Sequence, residues 1–128
     1  MTSLQDLMNP NVVSTTAETP VAAAARSMVE SKVGSAVVMQ GSWLSGILTE
    51  RDVMRAAASG EDLNESLVSK WMTRDPMSAA PDMSPDEAAQ IMLLNGFRHL
   101  PVVEGQEVRG VVSIRDLMAA RIRRPPKD

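Results

Sequence analysis

The sequence predicts an α/β (α+β) fold built twice, as two pseudo-symmetric β-α-β-β-α repeats packed into one compact module. Three observations predict it. Gly46-Ile47-Leu48-Thr49-Glu50-Arg51-Asp52 returns as Gly110-Val111-Val112-Ser113-Ile114-Arg115-Asp116: a glycine, two aliphatics, a hydroxyl residue, two variable positions and an aspartate. Thr19-Pro20-Val21-Ala22-Ala23-Ala24 is answered by Ser84-Pro85-Asp86-Glu87-Ala88-Ala89, and Ser35-Ala36-Val37-Val38-Met39 by Leu100-Pro101-Val102-Val103-Glu104. The two aspartates lie 64 positions apart in a chain of 128 residues. Repetition at such a period marks copies of one supersecondary unit. The second and third pairs match at an offset of 65, so the second copy is expected to lack one residue in a turn, where length changes cost little. Asp6-Leu7-Met8 and Lys70-Trp71-Met72 open the copies, and a short linker runs from Gly60 to Asn64. The repeats are therefore placed at 1–63 and 64–128, the second ending in a basic tail.

Each copy is expected to start with a short strand, at Val12-Val13-Ser14-Thr15 and, more weakly patterned, at Pro76-Met77-Ser78-Ala79. A helix follows. Thr19 and Ser84 precede Pro as N-cap residues, Ser84 with Glu87 reads as a capping box, and Gly34 and Gly96 are the stop signals. Ala36 to Met39 and Leu100 to Val103 then read as buried strands, turning through Gly41 and Gly105 into Trp43 to Leu48 and Val108 to Val112. Thr49 and Ser113 cap second helices that reach Ala58 and Ile122, the first ending near Gly60.

A chain of this length, 44% hydrophobic, buries roughly two-thirds of its unfolded surface. With no cysteine it has no disulfide framework and no thiolate metal site. Its apolar runs are too short for a membrane span, and the expectation is a cytoplasmic protein. A net charge of −3 argues against broad nucleic-acid binding, and Arg121, Arg123, Arg124 and Lys127 read as a solvated basic helix end.

The heptad carries the chemistry. A hydroxyl residue at a helix start stands beside backbone N–H groups that lack helical partners and attract anions. An aspartate three residues on can accept hydrogen bonds from two vicinal hydroxyls such as those of a ribose. Phosphate at the cap and ribose on the carboxylate describe an adenosine-type nucleotide, with the glycine expected to permit close backbone approach. The same Thr-x-x-Asp pattern is also nearly a capping box whose only task is to start the helix.

In element order, in the duplicated heptad and in Arg98-His99-Leu100-Pro101-Val102-Val103, each copy resembles a cystathionine-β-synthase (CBS) motif. The pair resembles a tandem CBS module, or Bateman domain. That resemblance implies two clefts between the repeats, one served by Thr49 and Asp52 and one by Ser113 and Asp116. It implies base-pocket walls at Ser14, Thr15, Gly34, Ser35 and Ala36, and at Met77, Ser78, Leu100 and Pro101 with Arg98 and His99. Arg51, Arg98, His99 and Arg115 are the candidate phosphate contacts. His99 would be pH-sensitive in that role, with a neutral ring bonded to backbone as the alternative. The offset of 65 aligns Arg98 and His99 with Val33 and Gly34.

Ala88, Ala89, Ile91, Met92, Leu93 and Leu94 cover more of a helix than one core stripe, and Val53, Met54, Leu117 and Met118 are likewise apolar. A homodimer through these helices is expected, as the resemblance also implies. Catalysis is not: the chain has no P-loop, no GxGxxG, no cysteine and one histidine, and neither Asp52 nor Asp116 has a ligand cluster for a metal. The expected function is a stand-alone regulatory, energy-sensing module that binds AMP, ADP or ATP as regulatory ligand, not catalytic cofactor, and signals to a partner protein. The alternatives are a constitutive dimeric interaction module, or a sensor of S-adenosylmethionine or NAD.

Overall fold

In the computed structural model, which describes residues 2–123, the elements run α1 (Leu4–Leu7), β1 (Ser14–Thr15), α2 (Val21–Ser31), β2 (Ser35–Gln40), β3 (Trp43–Thr49), α3 (Glu50–Ala58), α4 (Val68–Trp71), β4 (Thr73–Arg74), α5 (Pro85–Asn95), β5 (His99–Glu104), β6 (Glu107–Ser113) and α6 (Ile114–Arg123). They form two units. The Asp52 unit is Asn11–Pro76, and the Asp116 unit joins the chain up to Pro10 with the chain from Met77 onward. The sequence repeats and the compact units are thus drawn differently: α4 and β4, which lead the second repeat, fold with the first, and α1 folds with the second. The expected basic tail falls partly outside the described residues, at Arg124 and Lys127.

In the Asp52 unit the sheet order is β1-β2-β3-β4, with β1 parallel to β2 and the other pairs antiparallel. The Asp116 unit repeats that order in reduced form. β5 and β6 are an antiparallel hairpin, Ala79 bridges Val102 in parallel and Asn9 bridges Val111 antiparallel. The hairpins turn through Gly41 and Gly105, both at positive φ (62° and 64°), and both carry a bulge, at Val38/Met39 and Val102/Val103.

The repeat keeps one offset, 64, through every described element, which corrects the expected loss of a residue. Ser35 pairs with Thr49 as His99 pairs with Ser113. Leu4 N–H donates to the Met83 carbonyl (3.0 Å) as Val68 N–H donates to that of Thr19 (2.9 Å). Two capping expectations change with it. The N-cap of α2 is Pro20, not Thr19, whose hydroxyl instead meets that of Thr16 at 2.8 Å. Ser84 does cap α5, accepting from Glu87 N–H, but the return bond from Ser84 N–H to the Glu87 carboxylate is absent. α2 ends at Lys32 in the left-handed conformation (φ 56°), not at Gly34. Gly96, 64 positions after Lys32, closes α5 at φ 72° as expected.

The cores superimpose in sequence. Ala24, Met28, Ala36, Val38, Leu48 and Val68 form one buried cluster. Ala88, Met92, Leu100, Val102, Val112 and Leu4 hold the matching places in the other. Full burial of such an aliphatic side chain is worth about 1.5–3 kcal/mol. The short helices α1 and α4 each supply one core residue, Leu4 and Val68, both fully buried.

Candidate functional site

The glycines of the heptad are needed for the fold itself. A Cβ on Gly46 would lie 2.9 Å from the Thr73 carbonyl oxygen and 2.9 Å from Met72 Sδ; on Gly110 it would lie 2.8 Å from the Asn9 oxygen and 2.7 Å from Met8 Sδ. The close backbone approach they permit is that of the unit's own lead segment. With that segment seated, β3 and β6 run directly into α3 and α6.

At both junctions the hydroxyl residue and the aspartate form a reciprocal cap. Thr49 N–H donates to Asp52 Oδ2 (2.9 Å), the Thr49 hydroxyl donates to the same oxygen (3.0 Å), and Thr49 Oγ1 accepts from Asp52 N–H (3.4 Å). Ser113 N–H donates to Asp116 Oδ2 (2.9 Å), and Ser113 Oγ accepts from Asp116 N–H (3.0 Å). The carboxylates thus satisfy orphan backbone donors and sit at the positive ends of the helix dipoles.

The second carboxylate oxygen distinguishes the two turns. Asp52 Oδ1 accepts from Arg55 Nη1 at 3.2 Å, and Asp52 is buried. Asp116 is half-buried and has no further hydrogen bond among the described residues. Arg55 also lies 5.7 Å from the centroid of the Trp71 ring. Neither residue was singled out by the sequence reading. The signal was there, since the places 64 positions away hold Ala119 and Leu7.

The backbone brings the remaining candidates to these turns unequally. The Gly34 carbonyl accepts from Glu50 N–H and the Arg98 carbonyl from Ile114 N–H, both at 2.9 Å, so Arg98 matches Gly34 and His99 matches Ser35. This corrects the expected alignment by one residue and keeps the asymmetry: Arg98 and a half-buried His99 adjoin the Ser113 turn, where the other unit has Gly34 and Ser35. The Arg51, Arg98 and Arg115 side chains are exposed. Of the base-wall candidates, Ser14, Met77 and Ser78 are exposed and Gly34 is half-buried. Thr15, Ser35, Ala36, Leu100 and Pro101 are buried, with Ala36 and Leu100 inside the two cores.

Among the described residues no group of three or more His, Cys, Asp or Glu is placed to hold a metal, and no helix is long and apolar enough to cross a membrane. The CBS domain family model matches the chain twice, over residues 4–59 and 68–123. The chain belongs to the CBS domain family. Its two matched CBS segments repeat at the same offset of 64 as the structure. The chain is 41% identical over 116 residues to an uncharacterized 17.7 kDa protein in the bps2 3′ region of Acidianus ambivalens, covering 89% of this chain and 65% of that one. It therefore spans about two-thirds of that relative's length. Among solved structures it is similar to a protein with CBS domains from Burkholderia ambifaria, with TM-score 0.90, 27% identity and coverage of 99% and 98% of the two chains. Its fold is also that of the CBS domain pair of protein MJ0100 in complex with 5′-methylthioadenosine and S-adenosyl-L-methionine, with TM-score 0.85, 21% identity and coverage of 94% and 99%.

Proposed function

We propose that this CBS pair is a regulatory module that binds an adenosyl ligand, of which the adenine nucleotides AMP, ADP and ATP are the leading candidates, and signals the bound state to a partner protein. The observation that carries the reading is the duplicated strand-to-helix junction, with a hydroxyl residue at the cap and a carboxylate one turn on. A phosphate meets the exposed arginines Arg98 and Arg115 at the positive end of the helix dipole, while a ribose meets the aspartate. The MJ0100 pair, crystallised with two adenosyl compounds, supports the adenosyl class and keeps S-adenosylmethionine beside the nucleotides as a candidate. NAD presents the same ribose.

A homodimer is part of the proposal. Val29, Met54, Leu93, Leu94, Met118 and Ile122 stand at least half exposed on α2, α3, α5 and α6, and monomers rarely leave so much apolar helix surface in water. Light scattering at micromolar concentration is expected to give twice the chain mass.

Isothermal titration calorimetry of protein stripped of carried-over ligand, against AMP, ADP, ATP, NAD and S-adenosylmethionine, tests the ligand. Saturable binding lost in Asp116→Asn is the expected result. No saturable heat with any of the five at two temperatures would leave a constitutive dimeric interaction module as the better account.

A further inference from the structure

The two junctions are not equally able to take a ribose. An ionised carboxylate offers about four lone-pair directions. Asp52 has three in use, two on Oδ2 toward Thr49 and one on Oδ1 toward Arg55, and its side chain is only 10% exposed. Among the described residues Asp116 has one in use, toward Ser113 N–H. Vicinal hydroxyls need two.

Arg55 is held in place by a relay that, among the described residues, the Asp52 unit alone has. Its guanidinium and the Lys70 ammonium lie 5.7 Å and 5.6 Å from the centroid of the Trp71 ring. Trp71 Nε1–H donates to Ser66 Oγ (2.9 Å), Ser66 donates to Glu61 Oε1 (3.3 Å), and Lys70 donates to Glu61 Oε2 (2.6 Å). The ring is thereby fixed in rotation under the guanidinium. The Asp116 unit has Ala119 and Leu7 at the places of Arg55 and Trp71, so no such clasp can form there.

We propose that Arg55 is a specificity-determining residue: it occupies the ribose face of Asp52, so that an adenosyl ligand fills the Asp116 turn first and reaches the Asp52 turn only by displacing Arg55. This rests on the proposed adenosyl binding. A partly exposed ion pair and one cation–π contact are each modest, so the clasp biases the Asp52 turn by on the order of tenfold in affinity and does not seal it. A ligand at high concentration, or a partner that draws Arg55 away, opens the second turn.

The test is calorimetric titration of the full chain with AMP, ATP and S-adenosylmethionine in turn, comparing wild type with Arg55→Met, which keeps the side chain's apolar stem, and Arg55→Ala. The expected wild-type result is a first equivalent per chain that Asp116→Asn removes and Asp52→Asn leaves in place. Both Arg55 variants are expected to tighten a second equivalent by on the order of tenfold, and Asp52→Asn added to either removes it. Unfolding curves confirm that each variant is folded. Weaker or unchanged Asp52-dependent binding in the Arg55 variants would overturn the inference while leaving the ligand reading intact, because it would make Arg55 a ligand contact or a bystander. Wild-type protein that fills the Asp52 turn first would do the same. No saturable binding by any form overturns both.

Discussion

The Asp52 unit and the Asp116 unit match position for position in core, hairpin register, lead-segment docking and helix cap, yet differ at Arg55 against Ala119, Trp71 against Leu7, Ser35 against His99, Gly34 against Arg98 and Lys32 against Gly96. The shared positions are those a β-α-β-β-α unit needs to bury its sheet and satisfy its backbone. Of the differing positions, Arg55, Trp71, Ser35 and Gly34 and their counterparts lie at or beside the strand-to-helix junction. Duplication has kept the fold and let the junctions diverge.

Breaking both cores tests the equivalence most severely. Met28 and Met92 are buried at matching places, and truncating either to alanine is expected to cost about 2–5 kcal/mol in urea unfolding. Similar losses would support interchangeable cores; a loss confined to one unit would show that the other carries little of the stability. Gly46→Ala and Gly110→Ala come next, each placing a Cβ under 3.0 Å from a backbone oxygen, with an expected cost of about 1–3 kcal/mol. The Gly110 contacts are shorter, so its variant should lose more.

The helix ends should respond with opposite signs. Lys32→Gly relieves a left-handed non-glycine residue and is expected to stabilise by about 1 kcal/mol, while Gly96→Ala imposes the same strain and costs about as much. Equal effects of one sign would mean that the two helix ends are not equivalent. The smallest effect belongs to Glu61. Its hydrogen bond from Lys70, with the ammonium charge beside it, holds the carboxyl below the ordinary value of 4.5. A lowered carboxyl value in the folded state contributes stability above the unfolded value and loses it as the pH falls through the folded one. Lys70→Met should therefore lower the melting temperature slightly at neutral pH and converge on wild type as the pH falls below 4.5 and through the lower folded value. A difference that persists unchanged in acid would assign the effect to lost packing on Trp71.

Much of this was legible in the chain because the fold signals are short and local. The heptad gave the caps at Thr49 and Ser113, the hairpin glycines fell where positive φ is required, and the aliphatic runs became the central strands. The offset misled at one place for a definite reason. Thr19-Pro20 and Ser84-Pro85 look alike, but Pro20 occupies the N-cap and Pro85 the first helical turn, so matching the dipeptides shifts the register by one. That slip propagated to Arg98 and His99. Lys32 was unreadable as a helix stop, since nothing in a lysine announces a left-handed backbone; its counterpart Gly96 was the available clue. The four-residue helices α1 and α4 are too short to show a period, and their hydrogen bonds go to segments far away in sequence. Arg55 escaped because its importance lies in what Asp52 has left to offer, a property of three-dimensional geometry.

The most direct measurement is the amide NMR spectrum of the wild-type chain titrated with AMP, ATP and S-adenosylmethionine in turn. The account predicts that at sub-saturating ligand the Ser113 and Asp116 amides shift first, with Thr49 and Asp52 following only at on the order of tenfold higher concentration. Shifts that begin at Thr49 and Asp52, or that move both junctions together, would contradict it.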